Sequence, residues 1–198
     1  MKPYFETELG KLYCGDCLDI IPELEPVDLV LTDPPYPDWF CDLYKYNKHM
    51  IANLKLLRCK QFVFWSGNAI FPISYTARHV WNKNPSNRGA QYEFIYERNG
   101  GKHRKVYTFY MVNSTVAAQM TGDVFTKHPS QKPIALINTL VFENKSRVVL
   151  DPFIGSGTTA IACEKLNRRW IGIEISEKYC EIAKQRIINE TRQLKLFK

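Results

Sequence analysis

Residues 147–176 read RVVLDPFIGSGTTAIACEKLNRRWIGIEIS. Two apolar runs, Arg147–Leu150 and Trp170–Ile175, flank a stretch of helical composition. The spacing predicts a strand, a glycine-bearing turn over Asp151–Gly157, a helix over Thr158–Leu166 and a second strand. Two strands joined through a helix run parallel, so this unit sets the fold class as α/β with a parallel sheet. Ser176 is a good helix cap and predicts a further helix from Glu177 to about Leu194.

The rest of the chain extends the pattern. Lys11–Cys14 reads as a short strand and Leu18–Leu24 as a short helix. Val27–Thr32 is a nearly continuous apolar run, as in a strand covered on both faces. Asp42–Leu57 has helical periodicity, with Leu43, Tyr46, Met50, Asn53 and Leu57 near the 3.6 spacing. Gln61–Trp65 is a second buried strand, broken at Ser66-Gly67-Asn68, and a helix is expected near Phe71–Thr76. The middle is rich in Val, Tyr, Phe and Ile, with strands expected at 79–81, 92–97 and 106–112. Between the last two lies RNGGKHRK, residues 98–105, whose Asn99-Gly100 pair signals a hairpin. No repeat or low-complexity segment interrupts the 198 residues, so a single domain is expected.

The formal net charge is +7 and the pI about 9.1, which favours a polyanionic partner such as nucleic acid. No apolar run reaches the roughly 20 residues that span a bilayer, and MKPYFETELGKLY has no signal-peptide core. Neither a membrane partner nor secretion is expected. The six cysteines are scattered through strands and helices, which suits free thiols in a reducing, cytoplasmic compartment. Cys14-Gly15-Asp16-Cys17 has CxxC spacing, but no second pair or nearby His completes a metal site, so none is expected.

Glycines at 155 and 157 let a backbone approach a ligand where a Cβ would clash. N–H groups at the start of the following helix can receive polar atoms. Glu174 follows Asp151 by 23 residues at the end of the next strand, where nucleotide-binding units place a ribose-holding acid. The turn lacks GxGxxG and GK[ST], and Asp151 would oppose a pyrophosphate. A cationic ligand that carries a nucleoside, such as S-adenosylmethionine, fits better. Taken alone, the turn can also be read as a connection with no ligand.

A second segment bears on that choice. TDPPY at 32–36 ends the apolar run that begins at Val27. Together the two segments resemble motif IV and motif I of the amino-group DNA methyltransferases, which use S-adenosylmethionine. IGIEIS at 171–176 resembles motif II, YCGDCLDI at 13–20 the segment near the cofactor adenine, and HPSQKP at 128–133 the segment before motif I. HVWNKNP at 79–85 and YEFIYER at 92–98 are similar to that family's middle strands. The catalytic motif precedes the cofactor motif, an order that resembles the β class. The resemblance therefore implies a circularly permuted, Rossmann-like methyltransferase fold with a small inserted target-recognition region at about 84–127. That region is short for the class, which implies relaxed discrimination or a short target. Pro37-Asp38 stands where the family commonly has Asn.

The resemblance also implies roles. Asp33, Pro34, Pro35 and Tyr36 are the candidate catalytic residues. Asp16, Cys17, Asp33, Lys132, Asp151, Pro152, Phe153, Gly155, Ser156, Gly157, Thr158, Glu174 and Ile175 are candidates for the S-adenosylmethionine site, with Glu174 on the ribose. Candidate phosphate contacts are Lys83, Arg88, Arg98, Lys102, Arg104 and Lys105, although a charge run is more often a solvated face. For His128 a structural role is expected. The implied activity is direct methyl transfer to the N6 amine of adenine in double-stranded DNA, on a flipped base. N4-cytosine transfer is the alternative, because Asp rather than Ser before the two prolines resembles the adenine enzymes more often. A catalytically silent module that binds cofactor and DNA is the reading of another class. A homodimer is left open.

Overall fold

The computed structural model describes residues 1–37, 48–83, 92–111, 123–126 and 131–196. The expected helical segment 42–47, Arg88, His128 and, within the 84–127 region, residues 84–91, 112–122 and 127 lie outside the described residues.

The N-terminal half contributes strands β1 (Phe5–Glu6), β2 (Gly10–Cys14), β3 (Leu29–Thr32) and β4 (Lys60–Trp65), with helices α1 (Cys17–Ile20) and α2 (Lys48–Asn53) between them. The middle supplies β5 (Ala77–Asn82), β6 (Tyr92–Arg98) and β7 (Val106–Thr108). The C-terminal half runs α3 (Ile134–Asn144), β8 (Val148–Asp151), α4 (Thr158–Lys165), β9 (Arg169–Glu174) and α5 (Glu177–Leu196). The strands form one sheet in the order β1-β2-β9-β8-β3-β4-β6-β5-β7. β2, β9, β8, β3 and β4 are mutually parallel, and β6 turns antiparallel against β4 and β5.

Period-2 alternation divides each buried strand between the two faces of the sheet. Leu29, Leu31, Phe62 and Phe64 face one way, into a core completed by Leu136, Ile137, Leu140, Ile161 and Ile187 of the C-terminal helices. Val30, Val63 and Trp65 face the other way, with Ile20, Ile51 and Leu54. Every residue of β3 is buried, so its pattern is a continuous apolar run.

β3 lies beside β8, with Leu29 opposite Val149 and Val30 opposite Leu150. The chain winds from β3 toward β4 in one direction and from β8 toward β9 in the other. Their carboxyl ends therefore open a crevice at the reversal point, where open α/β sheets bind ligands.

Two expectations need correction. Residues 66–76 form an irregular segment, not a helix. Phe71 instead stacks on Tyr96 at 4.2 Å and meets Trp65 edge-on at 5.4 Å. The Asn99-Gly100 turn does not make a hairpin of β6 and β7: β7 pairs in parallel with β5. α3 and β1 are elements that sequence reading did not assign. Among the described residues, no helix is long and apolar enough to cross a membrane, and no group of acidic, His or Cys side chains is placed to hold a metal ion.

Candidate active site

The turn after β8 is held from three sides. Asp151, 5% exposed, accepts hydrogen bonds from the Thr32 hydroxyl at 2.9 Å, the Thr159 hydroxyl at 2.6 Å and the Phe153 N–H at 3.1 Å. The Ile154 N–H donates to the Ile173 carbonyl at 3.0 Å. From α5, buried Arg186 donates to the Ser156 carbonyl at 2.7 Å and hydroxyl at 3.1 Å. Burial lowers the Arg186 pKa to about 10.

Gly155 and Gly157 both adopt positive φ, 52° and 84°. That conformation is costly for a side chain. A Cβ on Gly157 would also lie 3.2 Å from the Ala183 Cα, so this glycine admits helix α5 rather than a ligand.

Burial raises the Asp151 pKa from its ordinary 3.8 to about 6, against the lowering effect of its hydroxyl donors. An unfolded chain ionises this carboxyl first, so the group's stabilising effect is complete below about pH 4 and is lost as pH rises through about 6. The difference corresponds to about 3 kcal/mol. Urea unfolding of the wild type and Asp151→Asn between pH 4 and 7 should show the stability gap between them shift by that amount, against the wild type. A pH-independent gap contradicts it.

Glu174, 3% exposed, ends β9 beside the turn. Its two oxygens accept the Gly155 N–H at 3.1 Å and the Ser176 N–H at 2.8 Å. Two backbone donors thus fix the carboxylate.

Across the crevice, β3 ends at Asp33, Pro34 and Pro35. Both prolines are buried, with fixed φ and no N–H to misdirect the chain. The Tyr36 ring leans on Trp65, centroids 5.6 Å apart at 60°. The Asp33 carboxylate is in an ion pair with Lys132, whose ammonium also lies 3.6 Å from Glu93 of β6. Burial disfavours the lysine charge, but Asp33 and Glu93 outweigh it and raise its pKa.

One cavity joins the two turns. Asp33, Pro35, Lys132, Asp151, Phe153, Gly155, Ser156, Thr158 and Glu174 line it, together with Thr32, Phe64, Gln131, Ile137 and Thr159, which were not among the candidate site residues. Together with its open mouth it takes in about 610 Å³ of space. Three carboxylates on its wall disfavour a polyphosphate and suit a cation bearing hydroxyls.

Other candidates fall elsewhere. Asp16 caps α1 through its bond from the Leu18 N–H at 2.9 Å. Cys17 is a core thiol whose pKa burial raises to about 12. Pro152 is buried off the cavity, and Ile175 is 54% exposed.

Among the basic candidates, Arg98 needs a correction. Arg98 is 7% exposed and donates to the Ser74 and Leu54 carbonyls and to Gln61, so it is a structural cation. It pairs with Gln61 at the start of β4, whereas the cavity lies at the other end of that strand. Phe94, level with Trp65, is four residues from Arg98, roughly 13 Å along the strand. Lys102 and Arg104 are exposed, and Lys105 pairs with Glu143 at the end of α3. Lys83 is near the cavity edge, but its ammonium is held by Glu93.

The permuted sheet, the carboxylate-lined cleft at its reversal point and the proline-stiffened acid beside it define a Rossmann-like methyltransferase fold. The chain belongs to the N6/N4 DNA methylase family, whose profile matches residues 43–185. It is 28% identical to the type II methyltransferase M.BamHI of Bacillus amyloliquefaciens across 99% of this chain. It spans 61% of that relative's length, and 37% of M2.DpnII of Streptococcus pneumoniae, to which it is 34% identical over 56% of its own length. The structure of the M1.HpyAVI–SAM complex matches with a TM-score of 0.64 and 26% identity, over 90% of this chain and 99% of that one.

Proposed function

We propose that this chain transfers a methyl group from S-adenosylmethionine to the N6 amine of adenine in DNA. The juxtaposition of Asp33 and Glu174 in one cavity carries the reading, supported by the family assignment. The cavity fits that cofactor. Glu174 offers a carboxylate to ribose hydroxyls, Asp151 and Asp33 supply negative charge, and Phe153 and Ile154 supply apolar wall. When bound, S-adenosylmethionine supplies an electrophilic methyl.

The protein's part is positioning and charge. An exocyclic amine is a poor nucleophile because its lone pair is delocalised into the ring. Asp33 accepts one N–H, and the Pro34 carbonyl, fixed by its flanking ring geometry, accepts the other. Two acceptors on one nitrogen favour a tetrahedral centre and free the lone pair. Asp33 then stabilises the positive charge that develops. Tyr36, braced on Trp65, offers a face to the flipped base. No nucleophile for a covalent intermediate is required. Positioning supplies much of the acceleration.

Nucleoside mass spectrometry of unmodified DNA after reaction tests the base assignment. N6-methyladenine is expected, and N4-methylcytosine without it would replace adenine by cytosine as the target. Because the 98–105 run opens at Arg98, at the end of β4 away from the cavity, replacing Lys102 and Arg104 by Ala should leave the salt dependence of DNA binding unchanged. A slope reduced by about 0.9 per removed charge would return that loop to the interface.

A further inference from the structure

Lys132 sits between two carboxylates that belong to different parts of the fold. Asp33 directly follows β3, and Glu93 lies in β6, within the expected target-recognition region. Glu93 is 8% exposed, and Lys83 holds its other oxygen. The four side chains thus form a row of alternating charge: Asp33, Lys132, Glu93, Lys83. The ammonium lies over the Phe64 and Trp81 rings, with centroids at 5.3 and 5.9 Å.

This arrangement conflicts with the chemistry proposed above. Asp33 must accept an amine N–H, yet an ammonium already sits on its carboxylate. That ammonium competes for the acceptor and weakens the negative charge offered to the reacting nitrogen. Glu93 resolves the conflict. A movement of less than about 1 Å would bring the 3.6 Å separation within ordinary hydrogen-bond range. The aromatic rings beneath favour a cation along that short path.

We propose that Glu93 is a positioning residue that draws Lys132 off Asp33 as the target amine enters. No bond between heavy atoms changes and the ammonium keeps its protons; only its carboxylate partner changes. Glu93 therefore sets how fully Asp33 is available to the amine. This inference rests on the methyl-transfer reading of the site.

The test uses the whole chain with Glu93→Gln, Glu93→Asp, Lys132→Met and the Glu93→Gln/Lys132→Met double variant. Single-turnover methyl transfer to unmodified DNA should fall at least about tenfold in Glu93→Gln, while the Kd for S-adenosylmethionine and the KM for DNA stay within about twofold. Glu93→Asp should recover part of the rate. In the Lys132→Met background, Glu93→Gln should cost less than about twofold, because no ammonium is left to reposition. An equal cost in both backgrounds overturns the proposal, as does an effect confined to Kd, KM or melting temperature.

A second readout does not depend on turnover. In carboxyl-carbon NMR titrations, Glu93→Gln should lower the Asp33 pKa, because Lys132 is then no longer shared with Glu93, and adding Lys132→Met should reverse the change. An Asp33 titration unaffected by Glu93→Gln overturns the proposal even if the wild type transfers no methyl to DNA, an outcome that would separately remove the methyl-transfer reading.

Discussion

Asp33→Ala should lower methyl transfer by at least about a thousandfold while S-adenosylmethionine binding changes only a few-fold. A single transition-state acceptor of this kind is worth about 2.7–4 kcal/mol. Here the loss is compounded, because Lys132 would remain in the cavity wall with its nearest carboxylate removed. Its positive charge would then face a nitrogen that is itself becoming positive. Cofactor affinity is spared because Asp151, Glu174 and the glycine turn are held by donors from Thr32, Thr159, Phe153, Gly155 and Ser176. Single-turnover rates and calorimetric Kd values on the same preparations separate the two effects. Wild-type transfer by a folded Asp33→Ala variant would remove Asp33 from the catalytic role.

Glu174→Ala should weaken S-adenosylmethionine binding by roughly a hundredfold. A buried carboxylate that receives hydroxyl donors contributes about 1.5–3 kcal/mol through charge-assisted hydrogen bonds. The truncation also strips the Gly155 and Ser176 N–H groups of their acceptor. The turn would then lose part of its shape as well as its ligand contact. Glu174→Gln keeps one acceptor oxygen and should lose only about tenfold. An unchanged Kd in Glu174→Ala would show that the ligand is held elsewhere.

The β8–α4–β9 unit was readable because its signals are local: buried strands, two glycines that need positive φ, and an acid at the next strand's end. The three-dimensional partners of these residues were not. Thr32 and Thr159 lie inside the recognised motifs without a role assigned to them, yet both hydroxyls close on Asp151. Lys132 and Asp33 are 99 residues apart, and only the β3–β8 pairing brings their segments together.

The basic run at 98–105 shows a different limit. Asn99 does adopt a positive φ of 54°, so the local turn signal was sound. Local signals do not say which strand a segment will pair with, or which edge of the sheet it will reach. β7 pairs with β5, and Arg98 is drawn inward by the carbonyls of Leu54 and Ser74. Helix α3 was missed for yet another reason. Leu136, Ile137, Leu140 and Val141 are all buried, and its outward face carries Phe142, which blurs the amphipathic period.

The central claim is that one cavity holds both the methyl donor and the acid that accepts the target amine. The most direct measurement is transfer of labelled methyl from S-adenosylmethionine to unmodified DNA by the wild type and Asp33→Ala side by side, with cofactor binding measured on both. The account predicts label in adenine with the wild type, none above background with the variant, and binding by both. A wild-type protein that binds S-adenosylmethionine yet leaves DNA unlabelled would contradict it.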